Sequence, residues 1–186
     1  MSKIFVTSDT HAFHERIIEF CPKTRKGSST EEMTENLVQA HNRVVSPEDT
    51  VYFLGDFAFG GRPDKIKNFA DRLNGTKHLI YGNHDKVIRG NAVLQSCFAS
   101  VQDYKRFSYQ KQQFVLFHFP IARWEGCHYG AIHLFGHEHG GFEQEGRCMD
   151  VGIDTRPNGD MQPWLLDDVI RLLKDKPLIQ HHGKTK

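Results

Sequence analysis

His78-Leu79-Ile80-Tyr81-Gly82-Asn83-His84-Asp85 is an apolar run of strand length closed by a sharp polar cluster. The same shape recurs along the chain. IFV at 4–6 runs on to Asp9 and His11, VYFL at 51–54 to Gly55-Asp56, FVLF at 114–117 to His118, and IHLF at 132–135 to Gly136-His137 with His139. Short runs rich in β-branched and aromatic residues, bounded by turn formers, read as buried strands. The polar groups therefore stand where strands end, which is the edge at which open α/β sheets build their sites.

Between these runs the first half alternates strand with helix. A strand at 3–8 leads through a short helix at 15–20 and a polar loop at 22–29 to a longer helix. Thr30 precedes Glu31, Glu32 and Met33 as an N-cap would, and Leu37, Ala40, Val44 and Val45 carry the apolar stripe until Pro47 stops it. After a strand at 50–54, Gly60-Gly61 and Pro63 introduce a helix built on Ile66, Phe69, Ala70 and Leu73, ending at Gly75; the strand at 78–81 follows. Past a variable region near Gly90, the second half is mostly strand. Segments 101–109 and 112–118 read as a hairpin turning at Gln110-Lys111, with strands at 131–135 and 147–153. A last amphipathic helix spans 164–173, and the tail from Ile179 is expected to fray. This order predicts an α/β fold, two sheets packed face to face with helices outside.

A chain of 186 residues is the size of one domain, and its net charge of +1 with mixed signs offers no basic field for long nucleic acid. A small anionic substrate is compatible with it. Cys21, Cys97, Cys127 and Cys148 are widely spaced, without zinc-finger pairing. With no secretory leader and no apolar run of membrane-spanning length, they read as reduced thiols of a cytoplasmic protein, away from any membrane.

Each polar cluster alone is unremarkable; together they form a mixed nitrogen and oxygen donor set. Asp9, His11, Asp56, Asn83, His118, His137 and His139 include no thiolate, which suits manganese first, with iron, zinc or nickel as alternatives. Residues two apart share a strand face, so Asp9 with His11, and His137 with His139, are expected to point together. Asp56 has two oxygens with which to bridge a pair of divalent cations, and His84, beside Asn83, is placed to give a proton to a leaving oxygen.

On these motifs the sequence resembles the calcineurin-like metallophosphoesterases, and among them the small bacterial and phage members without a cap domain. Asp9-Thr10-His11, Gly55-Asp56, Gly82-Asn83-His84-Asp85, His118 and Gly136-His137-Glu138-His139 stand in that family's order. The resemblance implies a single domain over 1–186 with a four-layer αββα sandwich of two mixed sheets. It places Asp9, His11, Asp56 and His139 on one metal, and Asp56, Asn83, His118 and His137 on the other. It further implies in-line attack on phosphorus by a metal-bridging hydroxide, with Asp56 and His84 as the catalytic pair. The family's protein phosphatases continue the second motif differently from Phe57-Ala58-Phe59. Small phosphodiesters, cyclic or other nucleotides, are thus the expected substrates. A phosphomonoesterase, a nuclease on short single strands, and a non-catalytic scaffold with the same fold are the alternatives; the oligomeric state stays open.

Asn83, His84, His14 and Arg123 are candidate substrate contacts, because charge-assisted hydrogen bonds hold phosphate well. Arg25 reads instead as an ordinary solvated loop residue. Phe13, Phe57, Phe59 and Trp124 are candidates to stack a base.

Overall fold

A computed structural model describes residues 2–60 and 62–180. Its elements run β1 (Ile4–Thr7), α1 (Glu15–Phe20), α2 (Thr30–Val44), β2 (Thr50–Phe53), α3 (Pro63–Arg72), β3 (Thr76–Ile80), α4 (Lys86–Arg89) and α5 (Ala92–Gln95). They continue with β4 (Ser100–Gln102), β5 (Tyr104–Tyr109), β6 (Gln112–Phe117), β7 (Ile132–Phe135), β8 (Cys148–Asp150), β9 (Trp164–Leu165) and α6 (Leu166–Leu173). One sheet has the order β4-β3-β2-β1-β9, the other β5-β6-β7-β8. Both are mixed: β9 is antiparallel to β1, and β5 to β6, while the other pairings are parallel. The architecture is α/β, an αββα sandwich.

Side-chain alternation sorts the strands into layers. Val6, Tyr52, Leu54, Phe114, Leu116, Ile132 and Leu134 fill the space between the sheets, joined by Leu166 and Val169 of α6. Phe5, Val51, Phe53 and Leu79 point the other way, onto Met33 and Leu37 of α2 and Ile66 and Phe69 of α3. Outside the second sheet, Val115 and Phe135 are covered by Trp124, Cys127 and Ile179. Ile179, expected to begin a frayed tail, is therefore buried; residues 181–186 and Gly61 lie outside the described part. Among the described residues no helix is long and apolar enough to cross a membrane.

Several boundaries differ from the sequence reading. The strand expected at 101–109 is two strands, because the chain leaves one sheet after β4 and enters the other at β5. Asp103 marks the crossing and pairs with Arg89 at the end of α4. The turn at Gln110-Lys111 holds, with both residues at positive φ (48° and 63°), as a two-residue hairpin requires. Trp164 and Leu165 do not start the last helix; they pair with Val6 and Phe5 as the sheet's antiparallel edge. The cap of α2 is Ser29, whose side chain accepts from the Glu32 N–H, so Thr30 is its first helical residue.

Candidate metal centre

β1, β2 and β3 of one sheet and β6 and β7 of the other all deliver their C-terminal ends to one place. The loops after β1 and β2 run side by side: Asp9 N–H donates to the Gly55 carbonyl (3.0 Å) and His11 N–H to that of Asp56 (2.9 Å). Asp9, His11, Asp56, His137 and His139 all have positive φ, at 56°, 45°, 53°, 74° and 47°. Such backbone costs an ordinary residue about 1–2 kcal/mol and recurs where function over-determines the structure. The paired residues thus leave tight turns, past the regular strands on which two-residue spacing would set them side by side. Close approach of the loops also requires missing side chains. A Cβ on Gly136 would overlap the Ser8 hydroxyl, and one on Gly82 would overlap the Asp56 carboxylate.

Two compact donor groups result at the strand ends, and a third, Cys21 with Asp154, shares His139 with the first. Asp9, His11 and His139 place one ligand atom each within 4.8 Å of one another, and so do Asp56, His118 and His137. Asp56 links the groups: its Oδ2 lies 3.5 Å from His11 Nε2 and 3.5 Å from His118 Nε2. Asn83 Oδ1 stands 3.0 Å from His118 Nε2. His137 and His139, expected to face one direction, go to different groups.

Supporting bonds orient the rings. His118 Nδ1 lies 2.7 Å from the Leu54 carbonyl, so that nitrogen carries the proton and Nε2 faces Asp56 and Asn83. His139 Nδ1 bonds Asp154 Oδ2 at 2.7 Å. Asp154 in turn takes Arg25 Nε (2.9 Å) and Nη2 (2.5 Å) and the Thr24 hydroxyl. Arg25 is buried, contrary to the solvated reading, and also donates to the Thr10 and Asp9 carbonyls at 2.8 and 2.6 Å. It locks the loop after α1 onto the β1 turn. Asp85 accepts the N–H groups of Asp56, Phe57 and Gly82 at 2.9, 2.9 and 2.8 Å. Asp150 accepts those of Gly140 and Gly152 at 2.8 and 2.7 Å. Sequence reasoning gave Asp85, Asp150 and Asp154 no role. For Asp85 and Asp154 the one signal was a carboxylate past an apolar run; Asp150 fell inside the strand expected at 147–153.

The electrostatics suit cations. Burial pushes the Asp9 carboxyl up to about 7, against the pull of His118 and His139. Its side-chain oxygens accept only the His137 N–H (3.1 and 2.9 Å) among the described residues. Burial opposes ionisation of Asp56 too, but the hydrogen bond and charge of His118 and the His84 N–H hold it down to about 2. His11 is driven down to about 3 by burial, so it is a neutral ring, and its Nδ1 is buried without a partner. In His118 and His139 burial is outweighed by Asp56 and Asp154 respectively, and both titrate above the ordinary imidazole value. A wholly buried carboxylate that accepts no bond from a lysine or arginine side chain among the described residues, beside the neutral His11 ring, fits divalent metal ions.

The other candidates are placed as follows. His84 is exposed; its N–H donates to Asp56 Oδ1 (2.9 Å) and its ring centroid is 5.5 Å from that of His11. His14 stacks on Phe59, which also meets His84. Arg123 is exposed and donates to the Ala122 carbonyl, which ties it to its own turn. Of the four proposed stacking residues only Phe59 stands at the rim. Phe57 and Trp124 are core, and Phe13 packs on Phe69.

Residues 2–185 match the family described as calcineurin-like phosphoesterase. The chain is 33% identical over 188 residues to the uncharacterized protein MJ1445 of Methanocaldococcus jannaschii, covering 97% of this chain and 96% of that one. It is 26% identical to the gene 66 protein of Mycobacterium phage D29, covering 94% and 98%. A protein of unknown function from Aquifex aeolicus, AQ665, superposes with a TM-score of 0.71 at 24% identity, over 92% of this chain and 100% of that one, and shows the same fold. With its donor groups at the ends of parallel strands and its sequence matched almost end to end, the chain belongs to the calcineurin-like phosphoesterases.

Proposed function

We propose a two-metal phosphodiesterase that hydrolyses small phosphodiesters, cyclic or other nucleotides among them, in the cytoplasm. The observation that carries this reading is the single Asp56 oxygen equidistant, at 3.5 Å, from a ring nitrogen of each donor group. One carboxylate shared by two compact groups is the arrangement a dinuclear centre needs. Asp9, His11, His139 and Asp56 would hold one ion, and Asp56, Asn83, His118 and His137 the other, with manganese the best match to these donors. Such a pair supplies an acidified water and offsets negative charge on a phosphoryl oxygen.

The chain's own residues supply the rest. His84 is tethered to Asp56 through its backbone while its ring stays exposed, so it can reach the departing oxygen and give it a proton. Asn83, His84 and His14 line the approach to the phosphoryl group. Asp85 and Gly82 hold the Asn83-His84 turn against Asp56. The four free cysteines suit a reducing compartment.

The test is hydrolysis of bis(p-nitrophenyl) phosphate by metal-stripped protein reloaded separately with manganese, zinc and magnesium, with Asp56→Asn as control. Metal-dependent turnover that disappears in the control is expected. Turnover confined to p-nitrophenyl phosphate would make the protein a monoesterase, and none on either compound, in folded protein, would make it a scaffold.

A further inference from the structure

Two aromatic surfaces stand at the mouth of the site, one against each donor group. On the side of His11, the Phe59 ring stacks on His14 with centroids 3.9 Å apart and planes within 25°. Phe59 also lies 4.8 Å from His84, and Phe20, 58% exposed, extends the surface by an edge contact with His14. On the side of His118 and His137, Phe119 makes T-shaped contacts with both rings, centroids 4.8 and 4.6 Å away, and is 36% exposed.

Phe119 is held in place. Its loop is pinned two residues on, where the Ile121 N–H donates to Nε2 of the buried His133 (3.1 Å), whose Nδ1 bonds the Val115 carbonyl (3.1 Å). Both nitrogens of that imidazole are spent on backbone, so the loop leaving β6 has a fixed course. An exposed ring anchored beside the donor groups offers a face to a ligand at little ordering cost.

We propose that His14–Phe59 and Phe119 are two platforms for planar groups on opposite ester arms of one phosphodiester, so the substrate is two nucleosides joined through phosphate rather than a cyclic mononucleotide. The assignment rests on the phosphodiester reading above, and His84 orients it. His84 touches Phe59, so the leaving nucleoside lies over His14–Phe59 and the retained one over Phe119. Water contributes its oxygen to phosphorus, the P–O bond to the leaving nucleoside breaks, and that oxygen takes a proton from His84. The proton released by the water restores His84, and the products are one nucleoside and one nucleoside monophosphate.

The experiment compares thymidine 5′-(p-nitrophenyl phosphate) with methyl p-nitrophenyl phosphate in manganese-loaded protein. Both release p-nitrophenolate and differ only in the retained arm. The wild type is expected to favour the nucleoside ester in kcat/KM by about tenfold or more, the scale of one base stacked on one ring. Phe119→Leu, which keeps apolar bulk without a flat face, should bring that ratio toward one. Phe59→Leu should weaken both substrates and leave the ratio standing. Calorimetric binding of thymidine 5′-phosphate against methyl phosphate gives the same comparison without turnover. A ratio near one in the wild type, or equal loss on both substrates in Phe119→Leu, overturns the platform assignment. A Phe119-dependent preference in binding without any diester turnover would keep the platforms and sink the phosphodiester reading. Diester turnover with no preference would do the reverse.

Discussion

Asp85 does for the backbone what Asp56 is proposed to do for the cations. Its carboxylate is the acceptor for three N–H groups, those of Asp56 and Phe57 buried and that of Gly82 partly so, at the junction of the loops after β2 and β3. Removing a buried acceptor leaves each donor desolvated and unpaired, at about 1–3 kcal/mol apiece. Asp85→Ala should therefore lower unfolding free energy by at least about 2 kcal/mol, read by urea denaturation of the metal-stripped protein. A loss under about 1 kcal/mol would show that water replaces the carboxylate. His84 makes the opposite prediction, because only its backbone takes part in holding Asp56. His84→Ala should keep the bound-metal content of the wild type while turnover falls about a hundredfold or more on diesters with poor leaving groups, less on p-nitrophenyl esters. An equal rate on the poor leaving group would remove the acid role. The motif Gly82-Asn83-His84-Asp85 was legible because its residue types are chemically distinctive. The work of Asp85 was not, since an acceptor for backbone donors is defined only once the loop after β2 lies against it.

Helix α2 shows how far local pattern carries at the level of an element. Its apolar stripe and its position were readable from helical spacing, whereas its first turn shifted by one residue. Ser29 and Thr30 are both good caps, and what decides between them is which has extended backbone: Ser29 does, with φ −144° and ψ 166°. Ser29→Ala should cost about 1 kcal/mol in urea unfolding. Thr30→Ala should cost close to nothing, because the Thr30 hydroxyl bonds only the neighbouring Glu31 side chain and alanine is the better helix former. Comparable losses at both positions would contradict this assignment. The split of the expected strand at 101–109 has a different origin. The polar pair Gln102-Asp103, with an aspartate that favours turns, hinted at a break, but only the packing of two sheets shows that the chain changes partner there. Likewise Trp164 and Leu165 fit a helical stripe as well as they fit an edge strand; pairing with β1 decided the matter.

Across the whole molecule, the convergence of donor groups from both sheets on one edge was readable from order and strand closure. The buried polar groups that brace the fold were not. Arg25 looked like a loop cation because its partners, Asp154 and the carbonyls of Asp9 and Thr10, are remote or main-chain. His41 was overlooked although Met33, Leu37 and His41 recur at four-residue spacing on the buried face of α2. Its Nε2 lies 2.9 Å from the Asn74 carbonyl and its ring stacks on Phe53, far from solvent. Burial drives this imidazole down to about 4, a pull the Asn74 bond only partly offsets. The unfolded chain takes up a proton near pH 6.5 and the folded one not until about pH 4, so between those values the unfolded state binds more protons. Stability from this group is complete above pH 6.5 and drains away as pH falls toward 4. At about 1.36 kcal/mol for each tenfold difference in proton affinity, the loss by pH 4.5 is roughly 2–3 kcal/mol. His41→Gln can keep a donor for Asn74 but has nothing to protonate. Urea unfolding of metal-stripped protein at pH 7 and pH 4.5 should therefore show the wild type losing that much more stability than the variant on acidification. Parallel losses would mean that His41 reaches a protonated, solvated position without global unfolding, and that the α2 face opens locally in acid.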